Sequence, residues 1–245
     1  VSCRRHHAAA ILAWLAFVGP AAAQQRLGGE FQVNSYTSGF QSSAAVASDA
    51  TGNFVVVWSG RGTGDAAGIF AQRYDGSGSA VGEEFRVNSH TTGTQDAPLV
   101  ASNGEGDFVV VWESFGQDGG AFGVFGQRYD ASGGPLGGEF QVNSYTTSSQ
   151  SAPAVASNEA GDFVVVWQGY LQDGSFWGIF GQRYDASGNP LGGEFQVNSY
   201  TTRSQRRPAV ASDADGNVVA VWESNRQDGS FDGVFGQRYD AAGNP

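Results

Sequence analysis

The sequence predicts an all-β, β-propeller-like fold of four four-stranded blades of about 55 residues each, and three observations carry that expectation. One long motif recurs four times. No stretch has helical periodicity. Each copy also holds a strand that is apolar on both faces. The period is read from fixed landmarks: the Phe of "EF" falls at Phe31, Phe85, Phe140 and Phe195, and the Trp closing the apolar run at Trp58, Trp112, Trp167 and Trp222. Arg73, Arg128, Arg183 and Arg238 of "QRYD" step by 55 each time. Self-similarity at a fixed period marks units that bury their faces only against their neighbours.

Within the copy spanning 139–193, "EFQVNSY" alternates apolar and polar residues, "PAVAS" is short and small, "DFVVVW" is a continuous β-branched run, and "GIFGQRYD" is aromatic and alternating. The segments between them hold Gly, Asn, Asp or Ser, the residues of turns. A strand such as Phe163-Val164-Val165-Val166-Trp167 needs cover on both faces, which radially stacked four-stranded sheets supply. The small "AVAS" strand suits the innermost position, as strand A; "FVVVW" is then B, "FGQRYD" C and "EFQVNS" D.

The units run 30–83, 84–138, 139–193 and 194–245 within one repeat domain, 24–245. That order begins on a D strand and stops after a C strand, so the first D strand could pair with the last C strand and close a ring. The alternative is a fragment of a larger propeller array. In the C to D turns, Asp75, Asp130, Asp185 and Asp240 are placed to cap their own turns. Arg73 with Glu84, Arg128 with Glu139 and Arg183 with Glu194 are expected as cross-strand ion pairs.

Residues 1–23 read as a secretory signal peptide, with Arg4 and Arg5 before an apolar run and Ala21-Ala22-Ala23 at the cut. The expected location is secreted, extracellular or periplasmic, with no integral span in the mature chain. Beyond residue 23 there are 11 Arg, no Lys and 24 acids, with no Cys and a single His. That excludes disulfides and thiolate sites, and it disfavours nucleic acid as a partner. His90 takes a slot filled elsewhere by Tyr36, Tyr145 and Tyr200, which gives it a structural reading.

The unit "GGEFQVNSYTT…FVVVW…GIFGQRYDASGNP" resembles a tandem repeat of secreted and surface-associated bacterial proteins, largely uncharacterised. The resemblance covers residues 30–245 and implies an extracellular propeller-like module linked with adhesion. It carries no catalytic motif. The first copy departs from it, with Ser59-Gly60-Arg61-Gly62-Thr63-Gly64 where the others have the "QDG" phrase.

No hydrolase elbow, metalloprotease motif or phosphate loop occurs. The acids mostly recur with the repeat, which favours structural roles, and no catalytic or metal-ligating residue is assigned. No cofactor is expected. Calcium is the weak exception, at "SDADGN" (212–217) and around Asp118, Asp173 and Asp228, where each loop supplies only one or two carboxylates.

Variation between copies points to ligand recognition on the face of the D to A and B to C loops. Arg203, Arg206, Arg207 and Arg226 cluster there to receive acidic groups. Tyr170, Trp177 and Phe231 would stack on sugar rings, and Gln172, Asp173, Gln227 and Asp228 would take hydroxyls. The leading expectation is therefore a non-catalytic binding or adhesion module for an extracellular glycan or surface protein. The alternatives are a structural spacer or assembly element of a larger adhesin and, third, a glycan-acting hydrolase or lyase.

Overall fold

The computed structural model describes residues 28–245, so the expected leader, residues 1–23, lies outside the described residues. The repeat fold occupies the compact unit Val33–Pro245. Blade 1 consists of β1 (Gln41–Ser48), β2 (Phe54–Gly62), β3 (Asp65–Tyr74) and β4 (Ala80–Arg86). Blade 2 consists of β5 (Gln95–Ser102), β6 (Phe108–Phe115), β7 (Phe122–Tyr129) and β8 (Phe140–Gln141). Blade 3 consists of β9 (Gln150–Ser157), β10 (Phe163–Tyr170), β11 (Trp177–Tyr184) and β12 (Phe195–Gln196). Blade 4 holds β13 (Gln205–Ser212), β14 (Val218–Asn225) and β15 (Asp232–Tyr239). Each sheet is an antiparallel meander in chain order. Apart from the first D strand, the strands expected as A to D are the ones formed, with β1, β5, β9 and β13 as successive strands packed one on the next.

The two-faced strands explain the stacking. Along β6, Phe108, Val110 and Trp112 enter a core shared with Val55, Val57 and Ile69 of blade 1. Val109 and Val111 point the other way, into a core with Phe163, Val165 and Trp167 of blade 3. Blade 3 repeats the division, sending Val164 and Val166 to meet Val218, Ala220 and Trp222 of blade 4. Burial of a Val or Phe side chain contributes roughly 1.5–3 kcal/mol, so blades 2 and 3 are each held by both neighbours.

The Asp caps form as expected. One oxygen of Asp130 accepts from the Ser132 and Gly134 N–H groups at 2.8 Å each. The Ser132 hydroxyl, then these N–H groups, hold its carboxyl below the usual value. Asp185 is lowered in the same way, with the Asn189 side chain the largest cause.

The expected ion pairs do not form. The strand-C arginines of blades 1 to 3 reach forward to the next blade instead: Arg73 donates to the Ala131 carbonyl at 2.6 Å and to Ser132, Arg128 to the Ala186 and Ser187 carbonyls, and Arg183 to Ala241. The glutamates reach backward, Glu84 to the Ser35 N–H, Glu139 to Ser89 and Glu194 to Ser144, each at 2.6 Å. The two charges are thus used to join blades rather than to pair within one hairpin.

Blade 4 corrects a second expectation. Its sheet has three strands, and residues 28–40 form no strand, so no D strand closes a ring.

Candidate active site

Every inner strand carries a β-bulge at the same place, shown by a register shift between Ser42 and Ala45, Asp96 and Leu99, Val166 and Gln168 on the partner of β9, and Arg206 and Ala209. A non-glycine residue takes the left-handed conformation there: Ser43 (φ 53°), Ala97 (51°), Ala152 (49°) and Arg207 (54°). Such residues cost about 1–3 kcal/mol and bulges re-aim side chains next to functional sites. Here the bulge turns a backbone N–H toward the preceding blade. Ala152 N–H donates to Glu113 at 3.1 Å, and Arg207 N–H to Gln168 at 3.0 Å.

The residue pair just before each bulge differs from blade to blade, although the surrounding sequence does not. The opposed residues are Ser42 and Ser59 in blade 1, Asp96 and Glu113 in blade 2, Ser151 and Gln168 in blade 3, and Arg206 and Glu223 in blade 4. Three of these pairs are neutral or balanced. Ser42 and Ser59 share a hydrogen bond at 3.2 Å, and Gln168 donates to Ser151 at 3.1 Å. Glu223 is neutralised by Arg207 at 3.0 Å.

Blade 2 alone sets two carboxyl groups directly opposite each other, an arrangement that costs stability in a sheet. Three donors converge on one oxygen of Asp96: the Ser59 hydroxyl at 2.6 Å, the Ala97 N–H at 2.7 Å and the Ser43 hydroxyl at 3.3 Å. Glu113 has a different environment. Burial pushes its carboxyl up from the ordinary value, the Ala152 N–H opposes this, and the neighbouring Asp96 charge adds to the rise. Two carboxyls with unlike surroundings can divide the roles of proton donor and base. Two residues beyond Glu113, Phe115 is exposed and meets Phe122 edge-on with ring centres 5.2 Å apart, leaving an aromatic surface beside the acids.

The residues expected from sequence lie at the same end of the sheets but in blades 3 and 4. Tyr170 and Trp177 form a cross-strand pair, with ring centres 5.0 Å apart at 54°. Gln172 donates to Glu194, and Asp173 accepts from the Ser175 N–H at 3.0 Å, so both also hold their loop together. Blade 1, lacking that glutamine, has a cavity of about 570 Å³ beside Glu84, lined by Tyr36, Phe70, Glu83 and Arg86. In blade 4, Phe231 is exposed, Arg226 (φ 61°) donates its N–H to the Phe231 carbonyl at 2.6 Å, and Asp228 accepts from Ser230 at 3.0 Å. Gln227 keeps a buried Oε1 without a protein hydrogen bond. Arg206 approaches Asp232 at 3.8 Å, while the Arg203 backbone is held by the Ser175 hydroxyl of blade 3 at 3.1 Å. Thus Arg206 and Arg207 are drawn to acids of their own blade, and the aromatic pair of blade 3 stands apart from Phe231 in sequence and sheet.

Among the described residues no group of three or more His, Cys, Asp or Glu is arranged to hold a metal ion. The Asp213 carboxylate of the "SDADGN" loop accepts from the Asn217 N–H and side chain, each at 2.8 Å. No helix among the described residues is long and apolar enough to cross a membrane. Sequence reasoning passed over Asp96, Glu113 and Glu223 because most acids recur with the repeat. The available signal was that Asp96 has no acidic counterpart in the other copies and that the Glu after the tryptophan occurs in only two of the four.

No protein-family model and no curated protein matches the sequence. The fold does match solved structures. A protein of unknown function from Dyadobacter fermentans superposes with TM-score 0.61 and 14% identity, over 84% of this chain and 67% of that one. The GH93 α-L-arabinofuranosidase of Fusarium graminearum, solved with arabinobiose, superposes with TM-score 0.56 and 10% identity, over 82% of this chain and 62% of its own. An endo-arabinase from Bacteroides thetaiotaomicron gives TM-score 0.48 at 13% identity, over 79% and 74%. At these identities the likeness establishes the propeller-like fold. The expectation of a non-catalytic, non-enzymatic adhesion module is corrected by the same finding, since the fold is shared with a glycoside hydrolase, the GH93 α-L-arabinofuranosidase.

Proposed function

We propose that the chain is a glycan-acting hydrolase whose reacting carboxyls are Glu113 and Asp96. The opposed acid pair of blade 2 carries this reading, because it is the one place where the repeat accepts a like-charge pair and raises one member. Glycoside cleavage needs a protonated carboxyl to give its proton to the leaving oxygen and a second carboxylate to act as base or nucleophile. Glu113, whose burial favours the protonated form, is suited to the first role. Asp96, fixed by three donors on one oxygen, is suited to the second. Phe115 would stack on a sugar ring beside them. Arg203, Arg226, Tyr170, Trp177 and Phe231, on the same loop face, would contact more distant parts of an extracellular polysaccharide.

The test is release of reducing ends from a panel of soluble polysaccharides by the purified chain, with Glu113→Gln and Asp96→Asn alongside. Glutamine already occupies the matching position in blade 3 and makes the same hydrogen bond to the bulge N–H, so Glu113→Gln keeps the fold. Turnover that vanishes in both variants supports the proposal. No turnover on any glycan, or turnover equal in the variants, refutes it.

A further inference from the structure

We propose that the cleft between blades 1 and 2, at the end of the sheets opposite Asp96 and Glu113, binds a small organic cation: an ammonium group carried on an apolar or aromatic body. The repeat builds this cleft three times, once at each junction between blades, from the A to B turn, the start of strand B and the C to D turn. The three copies differ in size. The cavity between blades 1 and 2 measures about 250 Å³, while those between blades 2 and 3 and between blades 3 and 4 measure about 40 Å³ each. A water occupies about 30 Å³, and an apolar cavity of about 150 Å³ takes up a benzene ring. The second and third cavities therefore have room for a water, and the first for a ring with a short substituent.

The walls of the large cavity include Ala47, Val55 and Val81 of blade 1 and Phe108 of blade 2, with Asp49 and Glu105 at its mouth. Three of these positions set it apart from the second cavity. Val81 stands where Leu136 lines that one, Asp49 where Asn103 does, and Glu105 where Ala160 does. Apolar walls with a few polar groups placed at the mouth are the ordinary make-up of a small-molecule site.

The charge of the ligand follows from which polar groups the protein already uses. The donors around the mouth are engaged internally: the Asn53 amide donates to Asp49 at 2.7 Å and to the Thr51 hydroxyl at 2.9 Å, and the Ser102 hydroxyl to the Asn103 carbonyl at 3.1 Å. Arg73 is turned to the Ala131 and Ser132 carbonyls. What remains for a ligand is acceptors. Glu105 is exposed, and among the described residues its carboxyl group makes no hydrogen bond and no ion pair. Asp49 accepts only from Thr51 and Asn53 of its own turn, and no arginine pairs with it. A sugar hydroxyl both donates and accepts, whereas an ammonium only donates. Two carboxylates without a counter-cation beside an apolar cavity thus match an ammonium on an apolar body, through charge-assisted hydrogen bonds.

Titration of the isotope-labelled chain with benzylammonium, followed by the chemical shifts of its backbone amides, tests this, with benzyl alcohol as the neutral comparison. The expected shifts cluster on the A to B and C to D turns of blades 1 and 2. Benzylammonium binds about tenfold more tightly than benzyl alcohol, and its affinity falls as salt is added. Two substitutions each install a residue that another copy already carries, so both keep the fold. Glu105→Ala weakens benzylammonium about tenfold and leaves benzyl alcohol unchanged. Val81→Leu narrows the cavity and weakens both probes alike. An absence of shifts at these turns up to the solubility limit of benzylammonium, benzyl alcohol binding as tightly as the cation, or affinities unaltered in both variants overturns the proposal.

Discussion

Blades 2 and 3 are sandwiched, while blade 4 offers one face to solvent, and nearly the same sequence performs differently in the two settings. Val111 is fully buried and Val221, at the matching position, is 38% exposed. The difference teaches that a blade of this repeat is not a self-sufficient unit. Its apolar run stabilises the chain only on the side where another sheet covers it, as in other repeat proteins where stability is a sum of unit and neighbour terms.

The largest expected effect comes from breaking an interior core. Trp112→Ala in blade 2, fully buried, should cost about 3–5 kcal/mol in denaturant unfolding; a loss below about 1 kcal/mol would mean the blades do not depend on their shared cores. The two settings should also differ in chemistry. Glu113→Gln in blade 2 should lower glycan turnover by about 10²–10⁴. Glu223→Gln in blade 4, where Arg207 already neutralises the acid, should lower it far less. Equal losses would move the reacting pair away from blade 2.

Smaller truncations sharpen the contrast directly. Val111→Ala should cost about 1.5–3 kcal/mol and Val221→Ala within about 0.5 kcal/mol in dilute monomer. Matching costs would show that the outer face of blade 4 is covered in solution.

The smallest effect is a change of slope with pH. Glu113 has a folded value raised above its ordinary 4.5, so the native state binds more protons than the unfolded chain just above pH 4.5. Stability therefore falls as pH rises through that window, and Glu113→Gln should remove that slope and leave the neutral-pH melting temperature equal or higher. Asp130 and Asp185 act in the opposite sense. Their folded values are lowered below 3.8, so their contribution is present above that pH and is lost on further acidification. Thermal melts between strongly acidic and neutral pH separate the two slopes.

Much of the fold was legible because local rules and the period agreed. The four landmark series set the units, and the Asp turns follow from side-chain capping that needs no distant partner. The cross-strand ion pairs were not legible. Arg128 and Glu139 oppose each other on paper, but the twist and stacking of the sheets bring carbonyls of the next turn closer to the guanidinium. The acid pair was hidden for a related reason. Asp96 and Glu113 lie 17 positions apart, and only strand pairing ahead of the bulge sets them opposite each other.

The sequence by itself determined the all-β class, the four units and their strand order, and the end of the blades where the loops vary, because these rest on periodicity and turn chemistry that act over a few residues. Tertiary structure decided which faces are covered, that the first D segment forms no strand, and that two carboxyls meet while a third is neutralised. Those outcomes depend on desolvation and on charges brought together from distant positions, and neither is set until the sheets have stacked.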